Sequence, residues 1–192
     1  MDIFSAFGLS ASAGLNAYIP LLVVALLAKF TNLITLKSPW NTLESWWVIG
    51  VLVILSIVEF FADKFPAINH VNDIIQTAIR PIAGAIVFAS SASIITDIHP
   101  VLAMVMGLLV AGSVHAVKSL AIRPAVTATT GGAGNVPVSI AEDVTSTVIS
   151  ITAIVLPVLI AVMLVMVGAF FVLLIWRRIN RERVANRPPL PR

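Results

Sequence analysis

No cysteine occurs anywhere in the 192 residues. That single absence removes disulfide staples, thiolate metal sites, a cysteine nucleophile and palmitoylation together. Charge is scarce too: Asp, Glu, Lys and Arg supply 11% of the chain while 59% is hydrophobic, against about 25% and roughly 45–50% in soluble domains. A water-soluble globule is all but excluded. There is no Walker loop ending in Lys-Ser/Thr, no nucleophile elbow, no His-Glu-x-x-His zinc motif and no aspartate-rich phosphotransferase pattern. The start, Met1-Asp2-Ile3-Phe4, lacks a basic n-region and a small-residue cleavage site, so it does not read as a removable signal peptide. A net charge of +3 does not mark a nucleic-acid binder, because six of the twelve basic residues crowd into the last sixteen positions.

What the chain does have is long apolar segments. They run approximately Ile3–Phe30, Trp46–Ala62, Ile82–Ile95, Val101–Leu120, Val138–Leu156 and Val158–Trp176. Breakers separate them: Lys37-Ser38-Pro39, Phe65-Pro66, Asp97 to Pro100, the Gly131–Asn135 run and Pro157. An unbroken helix from Val138 to Trp176 would measure about 60 Å, twice the hydrocarbon core, so a break near Pro157 is expected. The pattern predicts an all-α polytopic transmembrane bundle of about six spans. Residues 1–176 form one transmembrane domain, and 177–192 a basic cytoplasmic tail expected to be disordered. The first segment is over-long and carries Ser10, Ser12, Gly14 and Asn16, which points to a broken or re-entrant helix.

With both ends on one side, Lys and Arg count ten on the side of the tail (Lys64, Arg80, Lys118, Arg123 and the six tail arginines) and two on the other, Lys29 and Lys37. The positive-inside rule then makes both termini cytoplasmic, and puts Trp40, Trp46 and Trp47 at the outer interface and Trp176 at the inner one.

Two short motifs each occur twice. Ser56-Ile57-Val58-Glu59 is echoed by Ser139-Ile140-Ala141-Glu142, and Ala78-Ile79-Arg80-Pro81 by Ala121-Ile122-Arg123-Pro124, in reversed order. Direct duplication does not produce that reversal, and apolar-rich tetrapeptides also match by chance. The topology nevertheless sets all four at one depth near the inner face. Glu59 and Asp63 share a helix face, as do His70 and Asp73. Three readings follow: interhelical ion pairs that fix packing, a polar cavity that binds a small charged solute, or unpaired interfacial charges.

The segment from Thr127 to Pro137, with Thr130, Gly131, Gly132 and Asn135, would serve either as an ordinary turn or as a loop whose amides or carbonyls hold an ion. Asp143 adds a second acid beside Glu142. Gly14 reads as helix packing, while Asn16 fits either packing or a backbone-exposing break. His115, one turn before Lys118, reads more as a satisfied interhelical histidine than as a proton carrier. His70 and Asp73 with Glu59 and Asp63 carry enough donors for a divalent ion, yet form no compact metal motif, so the metal is left unassigned and no cofactor is called for.

The segments Ala13–Pro20, Ala62-Asp63-Lys64-Phe65-Pro66 through His70-Val71-Asn72-Asp73 to Arg80-Pro81, and Arg123-Pro124-Ala125-Val126 through Gly132 to Ala141-Glu142-Asp143 resemble a bacterial membrane family catalogued as domain of unknown function 4126. The resemblance covers approximately Ile3 to Leu159, leaving the last span and the tail outside. It implies a multi-helix bacterial inner-membrane protein and no established activity.

Three functions compete. The leading one is a transporter or channel for a small charged solute, with cation passage slightly favoured, in which Asn16, Glu59, Asp63, His70, Asp73, Arg80, His115, Lys118, Arg123, Thr130, Gly131, Gly132, Asn135, Glu142 and Asp143 form the ion-binding region. The others are a structural or regulatory subunit whose charges only hold helices together, and a membrane-embedded enzyme acting on lipid headgroups. The expected partners are the lipid bilayer, the solute and a second copy of the chain, with Gly107, Gly112 and Ala116 as a contact strip.

Overall fold

The computed structural model describes residues 3–64, 66–92, 98–155, 163–170, 172–173 and 176–177, without the side chains of 66–71 and 73. Among these residues there are helices and no strands. In chain order they are α1 (Ile3–Leu15), α2 (Tyr18–Phe30), a short 3-10 turn (Trp40–Glu44), α3 (Trp46–Ala62), α4 (Pro66–Ala92), α5 (Pro100–Val117), a π-helical segment (Lys118–Ile122), α6 (Arg123–Thr130) and α7 (Asn135–Val155). Three stretches, Ile74–Ala92, Pro100–Thr130 and Asn135–Val155, are long and apolar enough to cross a membrane, and α1, α2 and α3 are shorter apolar helices.

α1 is the axis of the bundle. It buries Ser5, Ala6, Gly8, Ser10, Ser12, Ala13 and Gly14, small residues that let α4, α5 and α7 approach closely. Ser10 donates to the carbonyl oxygens of Gly84 (3.3 Å) and Gly107 (2.8 Å), tying α1 to α4 and α5. A Cβ on Gly107 would collide with the Gly84 carbonyl and the Phe88 Cβ. Gly107 is therefore committed to packing inside one chain and does not supply the intermolecular strip expected of it. On its other side, α1 meets α7 through hydroxyls: Ser12 Oγ lies 2.7 Å from Ser146 Oγ and 2.8 Å from Ser150 Oγ.

The first apolar segment is broken at Asn16, and the break reverses its direction. Ala6 packs with Phe88, Ala92 and Ala103, in a cluster that Ile3, Trp40 and Ile98 cover. Phe30, at the far end of α2, meets the Trp46 ring with centroids 5.9 Å apart. Both outer ends of the α1–α2 hairpin thus lie towards one end of the bundle, and Asn16 is its tip. Each arm has 13 residues, about 20 Å of helix, too short for a roughly 30 Å core. Ile3 therefore sits at the end of the bundle that holds Trp40.

Two further boundaries move. α4 starts at Pro66 and runs straight through Pro81, because the buried Ala83, Ala85, Val87 and Phe88 outweigh the one hydrogen bond that proline removes. The fourth span does not end at Leu120 but continues to Thr130. Of the last expected span, residues 163–170 are helical and exposed. The expected break at Pro157 and the tail beyond Arg177 lie outside the described residues.

Candidate functional site

α3, α4, the π segment, α6 and α7 bring six charged side chains to the tip of the α1–α2 hairpin. Glu59, Arg80 and Lys118 are no more than 1% exposed, far below the usual exposure of such residues. Arg80 donates from Nη2 to Glu59 Oε1 at 2.9 Å and lies 3.6 Å from Asp63 Oδ2. Arg123 reaches Asp63 Oδ2 at 3.3 Å and Glu142 Oε2 at 2.7 Å. Lys118 Nζ lies 2.8 Å from the same Glu142 oxygen and 3.9 Å from Asp63 Oδ2. Three cations thus surround Asp63, and the cluster of Arg80, Lys118 and Arg123 with Glu59, Asp63 and Glu142 balances in formal charge. Neutral donors complete it: Asn72 Nδ2 donates to Asp63 Oδ1 at 2.6 Å and Ser139 Oγ to Oδ2 at 3.4 Å.

Local structure explains the convergence. Residues five apart on an α-helix diverge by about 140°. From Lys118 to Ile122 the backbone is π-helical, and the Arg123 N–H donates to the Lys118 carbonyl. This i→i+5 register brings the two residues onto one face. Lys118 also donates to the Leu15 carbonyl at 3.0 Å, where α1 ends and the helix dipole is negative. Across the break, Asn16 Oδ1 accepts from the N–H groups of Tyr18 and Ile19, both at 3.1 Å, capping α2. Its amide then donates to Asp143 Oδ1 at 3.0 Å, while Lys64 holds Asp143 Oδ2 at 3.1 Å.

His115 lies between Arg80 Nη1 (3.3 Å from its Nδ1) and Thr77 Oγ1 (3.2 Å from its Nε2). A guanidinium only donates, so Nδ1 accepts and Nε2 carries the hydrogen. His115 is therefore a satisfied interhelical group, as expected.

Glu59, Asp63, Arg80, His115, Lys118, Arg123 and Glu142 come together, with Asn16 and Asp143 at the margin. Thr130, Gly131, Gly132 and Asn135 do not join them. They form the turn between α6 and α7, where Gly131 (φ +61°) and Gly132 (φ +92°) adopt left-handed backbone. The long loop from Thr127 to Pro137 contracts to Gly131–Gly134, since Thr127–Thr130 complete α6 and Asn135 opens α7. Its polar groups satisfy one another: Thr130 Oγ1 accepts from Gly134 N at 2.9 Å, and Asn135 Nδ2 donates to Thr127 Oγ1 at 3.0 Å. The side chains of His70 and Asp73 lie outside those described. Among the described residues no group of three His, Asp or Glu side chains is placed to hold a metal ion.

Lys64, Asn72, Gln76, Ser139 and the Ser12–Ser146–Ser150 contacts stand outside the set of site residues expected from the sequence. Their signal is spacing. Asn72, Gln76 and Arg80 recur every fourth residue, and Ser139, Glu142, Ser146 and Ser150 at intervals of three and four. Each makes a polar stripe on an otherwise apolar helix.

A cleft of about 350 Å³ opens beside the cluster, lined by Asn16, Ile19, Ser56, Ile57, Phe60, Phe61 and Asp143. It joins the apolar flank of α3 to the tip of the hairpin.

In comparison with known proteins, the model of a family described as Domain of unknown function (DUF4126) matches residues 3–177. The match extends past Leu159 through the last apolar segment. No curated protein and no solved structure matches the chain.

Proposed function

The chain belongs to the DUF4126 family, and on that premise we propose that it is a membrane transporter for a small charged solute, with the buried cluster as its binding centre. The observation that carries this reading is the sharing of partners. Glu142 Oε2 is held by both Lys118 (2.8 Å) and Arg123 (2.7 Å), and Asp63 Oδ2 lies within 4 Å of Arg80, Lys118 and Arg123. A carboxylate with two cations keeps one when the other leaves, so a solute cation can take the place of one side chain without stranding an acid in apolar surroundings. Static pairs lack this property, because removing one partner leaves an uncompensated buried charge.

The surrounding fold supports exchange. A short helical hairpin ends at the charges and offers its terminal carbonyl and a capped amide end, the arrangement by which broken helices bind ions at membrane depth. A cleft lined by Asn16 and Asp143, the residues at the margin of the cluster, opens at the bundle surface.

One observation favours a second reading: the formal charges cancel and most polar atoms are paired, which also suits a structural clamp in a membrane subunit. A thermal-stability screen of the purified protein separates the two. Sodium, potassium, magnesium and calcium chlorides, inorganic phosphate and glycerophosphates are tested on wild type and Glu142→Gln. A ligand that binds only the folded state raises the melting temperature. Stabilisation by one cation in wild type that vanishes in folded Glu142→Gln, followed by flux of that cation into vesicles, supports transport. A flat wild-type response with loss of assembly in the variant supports the clamp.

A further inference from the structure

Four buried polar atoms at the α3–α4 contact have no hydrogen-bond partner among the described residues: Glu59 Oε2, Gln76 Oε1, Arg80 Nε and Ser56 Oγ. Their side chains belong to one neighbourhood. Arg80 holds the other Glu59 oxygen at 2.9 Å. Gln76 lies one turn before Arg80 on α4, and Ser56 one turn before Glu59 on α3. Tyr18, at the start of α2, bonds Gln76 and faces both Glu59 and Arg80. Glu59 is 1% and Gln76 2% exposed, and leaving such acceptors unbonded is costly.

Two acceptors cannot bond each other. One added proton changes this: a protonated Oε2 becomes a donor, and Gln76 Oε1 is an acceptor without a donor. We propose that Glu59 is an exchangeable proton site, its Oε2 carrying the proton towards Gln76 Oε1, directly or through one water. The reaction is balanced by itself: the carboxylate gains one proton on binding and returns it on release. Ser56, one turn from Glu59, also lines the cleft beside Asn16.

The charged groups around Glu59 give the proton a consequence. Asp63 follows α3, Arg80 is on α4, Lys118 follows α5 and Tyr18 is on α2; His115 of α5 acts through Arg80, and Glu142 of α7 through Lys118. With Glu59 neutral, the balanced cluster gains one net positive charge, and Arg80 loses its closest counter-charge to lean on Asp63, 3.6 Å away. Asp63 is then less available to a solute cation. Proton and cation exclude each other, which is the logic of exchange transport. This coupling rests on the transport reading, whereas the proton site itself does not.

The test is infrared difference spectroscopy of the purified full chain in lipid nanodiscs, titrated from about pH 5 to 9. The expected result is a carbonyl band of a protonated carboxylic acid that changes with pH, disappears in Glu59→Gln, persists in Asp63→Asn and moves in Gln76→Leu, where the acceptor is gone. No such band in folded wild type, or a band that survives Glu59→Gln, overturns the assignment. If Glu59→Gln does not fold, Gln76→Leu decides, and an unmoved band overturns it. A Glu59 band together with a flat solute screen removes the transport reading and leaves the proton site standing.

Discussion

Lys118 and Arg123, five residues apart, point at one oxygen atom, Glu142 Oε2, from 2.8 and 2.7 Å. An ordinary helix does not allow this, and the π segment between them is what makes the site. Inserting one alanine after Leu120 adds a further residue between them and turns Arg123 by about 100° away from the acids. Helix content by circular dichroism should stay unchanged while thermal stability falls and any cation stabilisation is lost. Leu120→Ala, which keeps the register of a side chain that is 79% exposed, should behave as wild type.

Glu142→Gln leaves Lys118 and Arg123 facing one neutral amide. Breaking a buried pair from one side costs about 3–5 kcal/mol, and the loss should appear as a lowered melting temperature in detergent. The double variant Glu142→Gln with Arg123→Gln removes one charge of each sign and should recover a large part of that loss. A double variant less stable than the sum of its parts would contradict the coupling.

Glycine positions separate packing from propensity. Gly107→Ala sets a Cβ against the Gly84 carbonyl and 2.9 Å from the Ala85 Cα, so α4 and α5 must part and the protein should lose stability or fail to assemble. Gly112→Ala meets only Pro81, Cγ at 3.7 Å and Cβ at 4.0 Å, ordinary contact, and should gain about 0.5–1 kcal/mol from helix propensity. Melting curves of the two variants should move in opposite directions.

Asn16 has two jobs, capping α2 and holding Asp143. Asn16→Ala should cost about 1 kcal/mol from the lost cap, with a further loss from an Asp143 oxygen left short of a donor. Asn16→Asp keeps the capping oxygen but faces Asp143 with a like charge. It should be the less stable of the two at neutral pH and recover relative to Asn16→Ala as the medium is acidified, read by parallel thermal melts.

Much of this was legible in the chain. Composition and the apolar segments yield the all-α bundle with helices long and apolar enough to cross a membrane, and the paired motifs name Glu59, Arg80, Arg123 and Glu142, which the structure joins as Glu59 with Arg80 and Glu142 with Arg123. The break at Asn16 follows from polar residues in an over-long apolar segment. The rest was hidden for physical reasons. Apolar periodicity marks the inside of a protein only when the outside is water. Here Ile54, Ile57, Val58 and Phe61 on α3 are exposed, and lipid accepts such a face, so the inward side is marked by polar stripes instead. The π register depends on tertiary demand from two acids far along the chain, and no local residue announces it. The turn at Gly131 was overestimated because hydroxyl residues at helix ends, Thr127 to Thr130, read as loop when counted by composition. Their side chains bond back to carbonyls of the preceding turn, as Thr130 does to Val126 at 2.7 Å.

The hairpin connectivity of the ion pairs bears on how the chain is made. Glu59 and Arg80 are 21 residues apart, Arg123 and Glu142 19, each pair on consecutive helical segments. In a chain that folds hairpin by hairpin, α3 with α4 and then α6 with α7, each arginine arrives with its own glutamate. Within each unit the buried arginine and glutamate offset one another, which lowers the penalty of a lone buried charge. Lys64 with Asp143, and Asp63 with Lys118 and Arg123, are the ion pairs that join the two units.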